Sequence, residues 1–189
     1  MLGVLPWLVG FQPAAVSDRA DPAVDNDLRE WRARDEACVA SAYGGLRIDD
    51  GERQILASYT QGLVMLDHDR HLMAQTPGFP CGGSADELVG LEIGDAWIGT
   101  PLIALGATIG GRNENRTWLA LYRVGDNGEL VPTFVGEVER HTGHTTCTGT
   151  VTIIPGGLVY TDPDGSATLW IYDREAGIYR TQLPAPTTV

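Results

Sequence analysis

Positive charge is scarce in this sequence: 13 Lys and Arg stand against 25 Asp and Glu, a formal net charge of -12. Such a surface repels phosphate backbones and anionic lipid, and nucleic-acid binding would need a local basic patch to overcome it. The chain has no such patch, so nucleic acid is not an expected partner. The acidity is explained by solubility alone, with cationic partners as the more specific reading. Catalytic signatures are missing too. There is no glycine-rich phosphate loop, no nucleophile elbow, no His-Glu-x-x-His and no heptad repeat, and no serine sits in a recognisable catalytic setting. Scattered Asp, His and Arg can still converge in space, so these absences leave enzyme activity open. No apolar run is long enough to span a bilayer as a helix, and stable membrane insertion is not expected.

Charge is missing altogether from residues 1–16. Leu2, Val4, Leu5, Trp7, Leu8, Val9 and Phe11 form a short apolar core, followed by the small residues Ala14, Ala15, Val16 and Ser17. Segment 1–17 thus resembles the apolar and cleavage regions of a secretory signal peptide without its basic leader, which predicts an extracytoplasmic protein, periplasmic or secreted. Pro6 and the absent Lys or Arg favour the competing reading, a buried N-terminal strand. Only three cysteines are present, and Cys38, Cys81 and Cys147 are too widely spaced for a redox or zinc-knuckle pair. Either Cys38 pairs with Cys81 in an exported chain, or all three stay reduced and buried.

Glycine, by contrast, is abundant: 24 in 189 residues, against a usual share of about 7%. Most lie between apolar runs, as the turns of an all-β chain require. Residues 18–45 read as a polar linker and one helix, capped by Asp25 or Asn26, with Glu30 in the first turn. Leu28, Trp31, Cys38, Val39 and Ala42 form its apolar stripe, interrupted by Asp35, and Gly44 and Gly45 end it. The helix is expected to pack outside a β-domain over 46–189, with strands near 55–59, 63–66, 71–73, 88–93, 102–107, 117–122, 130–138 and 148–154.

The clearest stretch is 156–180. Leu158-Val159-Tyr160, the turn Asp162-Pro163-Asp164-Gly165 and Leu169-Trp170-Ile171-Tyr172 make one hairpin, and residues 173–177 turn into Ile178-Tyr179 for a second. Apolar residues fall on both faces of these strands, as they do in Leu102-Ile103-Ala104-Leu105 and Trp118-Leu119-Ala120-Leu121-Tyr122. Such strands call for neighbours on both sides. The expected fold is therefore all-β, with antiparallel hairpins in propeller-like blades; a β-sandwich is the alternative.

Gly94-Asp95 followed by Pro101-Leu102-Ile103 resembles the core of an FG-GAP type β-propeller repeat, a Gly-Asp before a short loop and then a Pro-led apolar strand. Ala96, Trp97, Ile98 and Gly99 stand where that family's calcium loop carries alternating Asp or Asn. The resemblance implies blades of about 45 residues, hence about three here, fewer than a closed propeller has. Either the chain is a partial or compact variant, or a second copy of it completes the sheet, or the hairpins are not propeller blades.

Three constellations are candidate sites. His141, His144 and Cys147 have the ligand chemistry of zinc, but their three-residue spacing would send consecutive members to opposite faces of a strand. Asp67-His68-Asp69-Arg70-His71 crowds carboxylates and imidazoles into one turn, with two carboxylates where calcium needs six or more oxygens. The polar segment Arg112, Asn113, Glu114, Asn115 and Arg116 lies between two strong strands, where recognition loops are commonly held. The functional expectation is a non-enzymatic binding or scaffold module of the cell envelope or exterior, needing no cofactor, with a protein or small-molecule ligand at its loops. The alternative is a metal-dependent hydrolase using His141 and His144 with an Asp or His of the Asp67 turn, for which zinc or calcium would be the cofactor.

Overall fold

A computed structural model describes residues 5–17, 23–24, 45–49, 51–59, 62–79, 83, 85–111 and 113–182. The helix expected within 25–45 falls outside these residues except for Gly45, as do Cys38, Cys81 and Arg112. The described fold is all-β, with three sheets, one of them curled into a half-barrel.

Along the chain the strands are β1 (Leu8–Val9), β2 (Gln12–Ser17), β3 (Leu46–Asp49), β4 (Arg53–Ser58), β5 (Gly62–Asp67), β6 (Leu72–Gln75), β7 (Glu87–Asp95) and β8 (Pro101–Gly110). They continue as β9 (Glu114–Val124), β10 (Leu130–Thr142), β11 (Thr145–Thr148), β12 (Thr150–Ile154), β13 (Gly157–Thr161), β14 (Ala167–Asp173) and β15 (Ile178–Thr181). The six-stranded sheet has the order β11-β10-β9-β8-β7-β2, the five-stranded sheet β1-β12-β13-β14-β15 and the four-stranded sheet β3-β4-β5-β6. Among the described residues every pairing is antiparallel except that of β1 with β12.

The six-stranded sheet is the centre because its strands are apolar on both faces. In β8, Leu102 and Ala104 enter one core cluster with Leu119, Leu121 and Phe134, against Val151, Ile153, Leu158 and Tyr179 of the five-stranded sheet. Ile103 and Leu105, the alternate residues, enter a second cluster with Leu91 and Ile93, against Ile48, Ile55, Leu63 and Met65 of the four-stranded sheet. Alternation along a strand sends successive side chains to opposite faces, so a strand apolar at every position is one covered twice. Beyond the four-stranded sheet, Leu56, Val64 and Leu66 are buried with Val24.

The 156–180 hairpins are covered once. Trp170 and Tyr172 pack inward on the core, whereas Leu169 and Ile171, 38% and 36% exposed, point out. The five-stranded sheet is an outer layer, and antiparallel sheets tolerate water on one face. Residues 5–17 are built into the fold: Leu5, Trp7 and Phe11 are buried in the first cluster. The chain then switches sheets between β1 and β2, which pairs with β7.

Two buried donors in this core, the Tyr179 hydroxyl and the Trp170 indole N–H, have no hydrogen-bond partner among the described residues. A buried hydroxyl without a partner costs about 1–3 kcal/mol of desolvation, so Tyr179→Phe is expected to raise stability by about 1 kcal/mol in denaturant titrations. Burial first, then the nearby charges of Tyr172 and Asp95, push the Tyr179 pKa well above its ordinary value. The folded state thus keeps a proton that the unfolded chain releases near pH 10. The stability due to this proton is present below that pH and is lost as pH rises above it. The phenylalanine variant is expected to show a shallower alkaline decline.

Candidate functional site

The apolar alternation of the central sheet stops at one end. There the register aligns Glu87 with Thr108, Thr108 with Thr117, and Glu139 with Thr117 and Thr148. This polar row crosses five strands. The adjoining row on the same face is Gly110, Asn115, His141 and Thr146. Between them lies a cleft of about 210 Å³ lined by Ala85, Asp86, Glu87, Thr108, Asn115 and Glu139.

The cleft is shaped by backbone contacts. Asp86 is buried; its Oδ1 accepts the Gly110 N–H at 2.9 Å and its Oδ2 the Gly83 N–H at 2.9 Å. The Gly110 carbonyl in turn accepts the Ala85 N–H at 3.0 Å. Asp86 therefore pins the segment before β7 to the β8–β9 turn. That turn is tight, with the Gly111 N–H donating to the Glu114 carbonyl at 2.8 Å, and the Asn113 carbonyl accepts the Gly143 N–H at 2.8 Å from the neighbouring hairpin. Two candidate sites named from sequence, Asn113 to Arg116 and the His141 hairpin, are thereby side by side. Glu114, Asn115 and Arg116 are the start of β9 rather than loop residues, because Gly110, at φ 138, allows the chain to reverse within a few residues.

His141, His144 and Cys147 do not converge. His141 lies opposite Thr146, with Nδ1 and Oγ1 3.1 Å apart, and His144 is in the turn. Cys147 lies opposite Arg140 and so faces the other side of the sheet from His141. Among the described residues no group of three His, Cys, Asp or Glu side chains is placed to hold a metal ion.

On that other face Arg140 Nε donates to Glu137 Oε1 at 2.7 Å and Nη1 to Asp164 Oδ1 at 2.9 Å. Glu137 first and Asp164 second hold the guanidinium charged, well above its ordinary pKa. Arg116 joins the group, 3.7 Å from Glu137 and 3.4 Å from Glu114. These are structural ties: Asp164, in the turn between β13 and β14, is roped to β10 of the central sheet.

The Asp67 turn belongs to the four-stranded sheet, where His71 Nδ1 is 3.3 Å from Asp67 Oδ2. Asp67 Oδ1 accepts the N–H groups of Asp69 at 2.9 Å and His71 at 2.8 Å, and these bonds, led by the His71 N–H, lower its pKa. The Asp162 turn has the same design, its Oδ1 accepting from Asp164 at 3.0 Å and Ser166 at 2.9 Å. The equivalent left-handed position is Gly165, φ 87, in one turn and Arg70, φ 65, in the other. Left-handed backbone costs a side-chain-bearing residue about 1–2 kcal/mol. Glycine removes that cost and alanine keeps it, so Arg70→Gly is expected to exceed Arg70→Ala in stability by up to about 1 kcal/mol in thermal unfolding, since glycine's extra freedom in the unfolded chain offsets part of the gain.

Sequence reasoning missed Asp86, Glu87, Thr108 and Glu139. The available signal was the polar residue closing each two-sided apolar run: Thr108 after 102–107, Thr117 before 118–122 and Glu139 after Val138. The molecule defined by this geometry is a stacked-sheet, all-β protein with a polar cleft at one end of its central sheet. Comparison with known proteins found no family model, curated protein or solved structure that matches the chain.

Proposed function

We propose that the protein is a non-enzymatic binding or scaffold module of the cell envelope or exterior, and that the polar end of the central sheet is its contact surface. The observation that carries this reading is the cleft itself. Asn115 and Glu139 line it without a side-chain partner among the described residues, and rigid sheet and joined hairpin tips hold them in place. Binding residues held this way lose little freedom on contact with a ligand. The FG-GAP resemblance at Gly94-Asp95 and Pro101-Leu102-Ile103, and the propeller-like arrangement it implies, belong to the same proposal, as both describe recognition by hairpin ends of packed sheets. The envelope or exterior location rests on the uncharged apolar composition of residues 1–16, the composition of a secretory signal segment.

The test is a titration of the isotope-labelled full chain with a library of sugars, amines, amino acids, carboxylates and short peptides, read by amide NMR. Saturable shifts centred on Thr108, Asn115 and Glu139, with every compound recovered unchanged, are expected. Hits that map elsewhere, or chemical conversion of a library member, would overturn the reading.

A further inference from the structure

The chemistry of the cleft narrows its ligand, provided that the binding-module reading holds. Three carboxylates line it, those of Asp86, Glu87 and Glu139, and among the described residues only Asp86 has hydrogen-bond donors from the protein, at Gly83 and Gly110. No arginine among the described residues neutralises the other two. Arg116 and Arg140, the nearest in register, pair with each other across β9 and β10 and so face the opposite side of the sheet. They are engaged there by Glu114, Glu137 and Asp164.

A second observation is independent of charge. Thr108 and Thr117, 6% and 2% exposed, have their hydroxyl oxygens 3.0 Å apart. One proton serves that bond; the other has no acceptor among the described residues. Thr108 lines the cleft and Thr117 does not, so the satisfied arrangement has Thr117 donating to Thr108 and Thr108 donating into the cleft. A buried donor aimed at a cleft asks for an acceptor from whatever enters.

We propose that the cleft binds a small hydroxylated amine, the chemistry of an amino sugar or amino alcohol. The ammonium group meets Glu139 and Glu87, a ligand hydroxyl accepts from Thr108, and Asn115 donates to or accepts from a neighbouring hydroxyl. A volume of 210 Å³ lies below the roughly 300–1,000 Å³ of drug-sized pockets, which limits the ligand to one ring or a short chain.

The test is calorimetric and NMR titration of the full chain with glucosamine at low salt, with glucose as its uncharged counterpart and ethanolamine as its short one. Glucosamine is expected to bind at least about tenfold more tightly than glucose, because a charge-assisted contact is lost in the latter. Glu139→Gln is expected to weaken glucosamine about tenfold with the melting temperature unchanged, and 0.5 M salt to weaken it further. Thr108→Val is expected to weaken glucosamine and ethanolamine alike. Equal binding of glucose and glucosamine, or glucosamine binding indifferent to Glu139→Gln and salt, overturns the ligand assignment while leaving a binding cleft. No shift at Thr108, Asn115 or Glu139 with any of the three probes also overturns it. In that case library hits at the same residues would keep the binding-module reading, and their absence would remove both.

Discussion

A chain beginning at residue 18 is expected not to fold. Removing residues 1–17 takes Leu5, Trp7 and Phe11 out of the cluster between the five- and six-stranded sheets. Each large buried side chain is worth about 2–5 kcal/mol, against a total stability of about 5–15 kcal/mol for a typical domain. The truncation also strips β1 from β12 and β2 from β7, leaving the long β7 as a bare edge. Buried Glu92 loses the Leu5 N–H that donates to it at 2.8 Å, and a buried carboxylate without a partner is costly. Circular dichroism and amide NMR dispersion of the truncated chain should show an unfolded or molten protein; a cooperatively folded one would contradict the structure. The result bears on location too. Cleavage at a signal-like site near Ser17 would remove these side chains, whereas an uncleaved chain would keep Leu5, Trp7 and Phe11 in the core. N-terminal sequencing of protein made in its own host separates the two.

Phe134→Ala is expected to lower stability by about 3–5 kcal/mol, or the melting temperature by about 6–20 °C for a chain of this size. Phe134 is almost fully buried and holds two layers together. Its ring stands edge-on to Tyr160 and Trp170 of the five-stranded sheet, each with centroids 5.3 Å away. Removing it leaves a cavity between sheets and removes both aromatic contacts, and β-sheet backbones on either side cannot collapse to fill it. Val135, the next residue, is 52% exposed; Val135→Ala should change stability by less than about 0.5 kcal/mol. Similar losses for the two variants would mean that the layers do not meet at Phe134.

Much of the strand content was legible, because apolar runs and Asp or Gly turns are local signals. The Asp67 and Asp162 turns do the same backbone work, as their shared pattern predicts. The assignment of strands to sheets was not legible. Leu102 to Leu105 and Leu169 to Tyr172 look alike in sequence, yet the first run is covered on both faces and the second on one. Nor does local pattern reveal that the chain leaves β1 in one sheet and enters β2 in another. The cleft was hidden for a different reason. Glu137 and Glu139 would share a face in an unbroken strand, but a bulge between them pairs Glu137 with Trp118 and Glu139 with Thr117. That single inserted residue turns Glu139 toward the cleft and leaves Glu137 with Arg140 on the other side. A one-residue change of register reverses every side chain beyond it, and apolar periodicity carries no trace of it here.

The central claim is a doubly covered six-stranded sheet with a polar, ligand-accessible end. Amide hydrogen exchange of the full chain tests it most directly. Residues 102–107 and 119–121 should exchange only through global unfolding, the outer strand 167–173 through cheaper local opening, and Thr108 and Asn115 at rates between the two. Exchange of 102–107 as fast as that of 167–173 would mean that the central sheet is not covered on both faces, and would contradict the account.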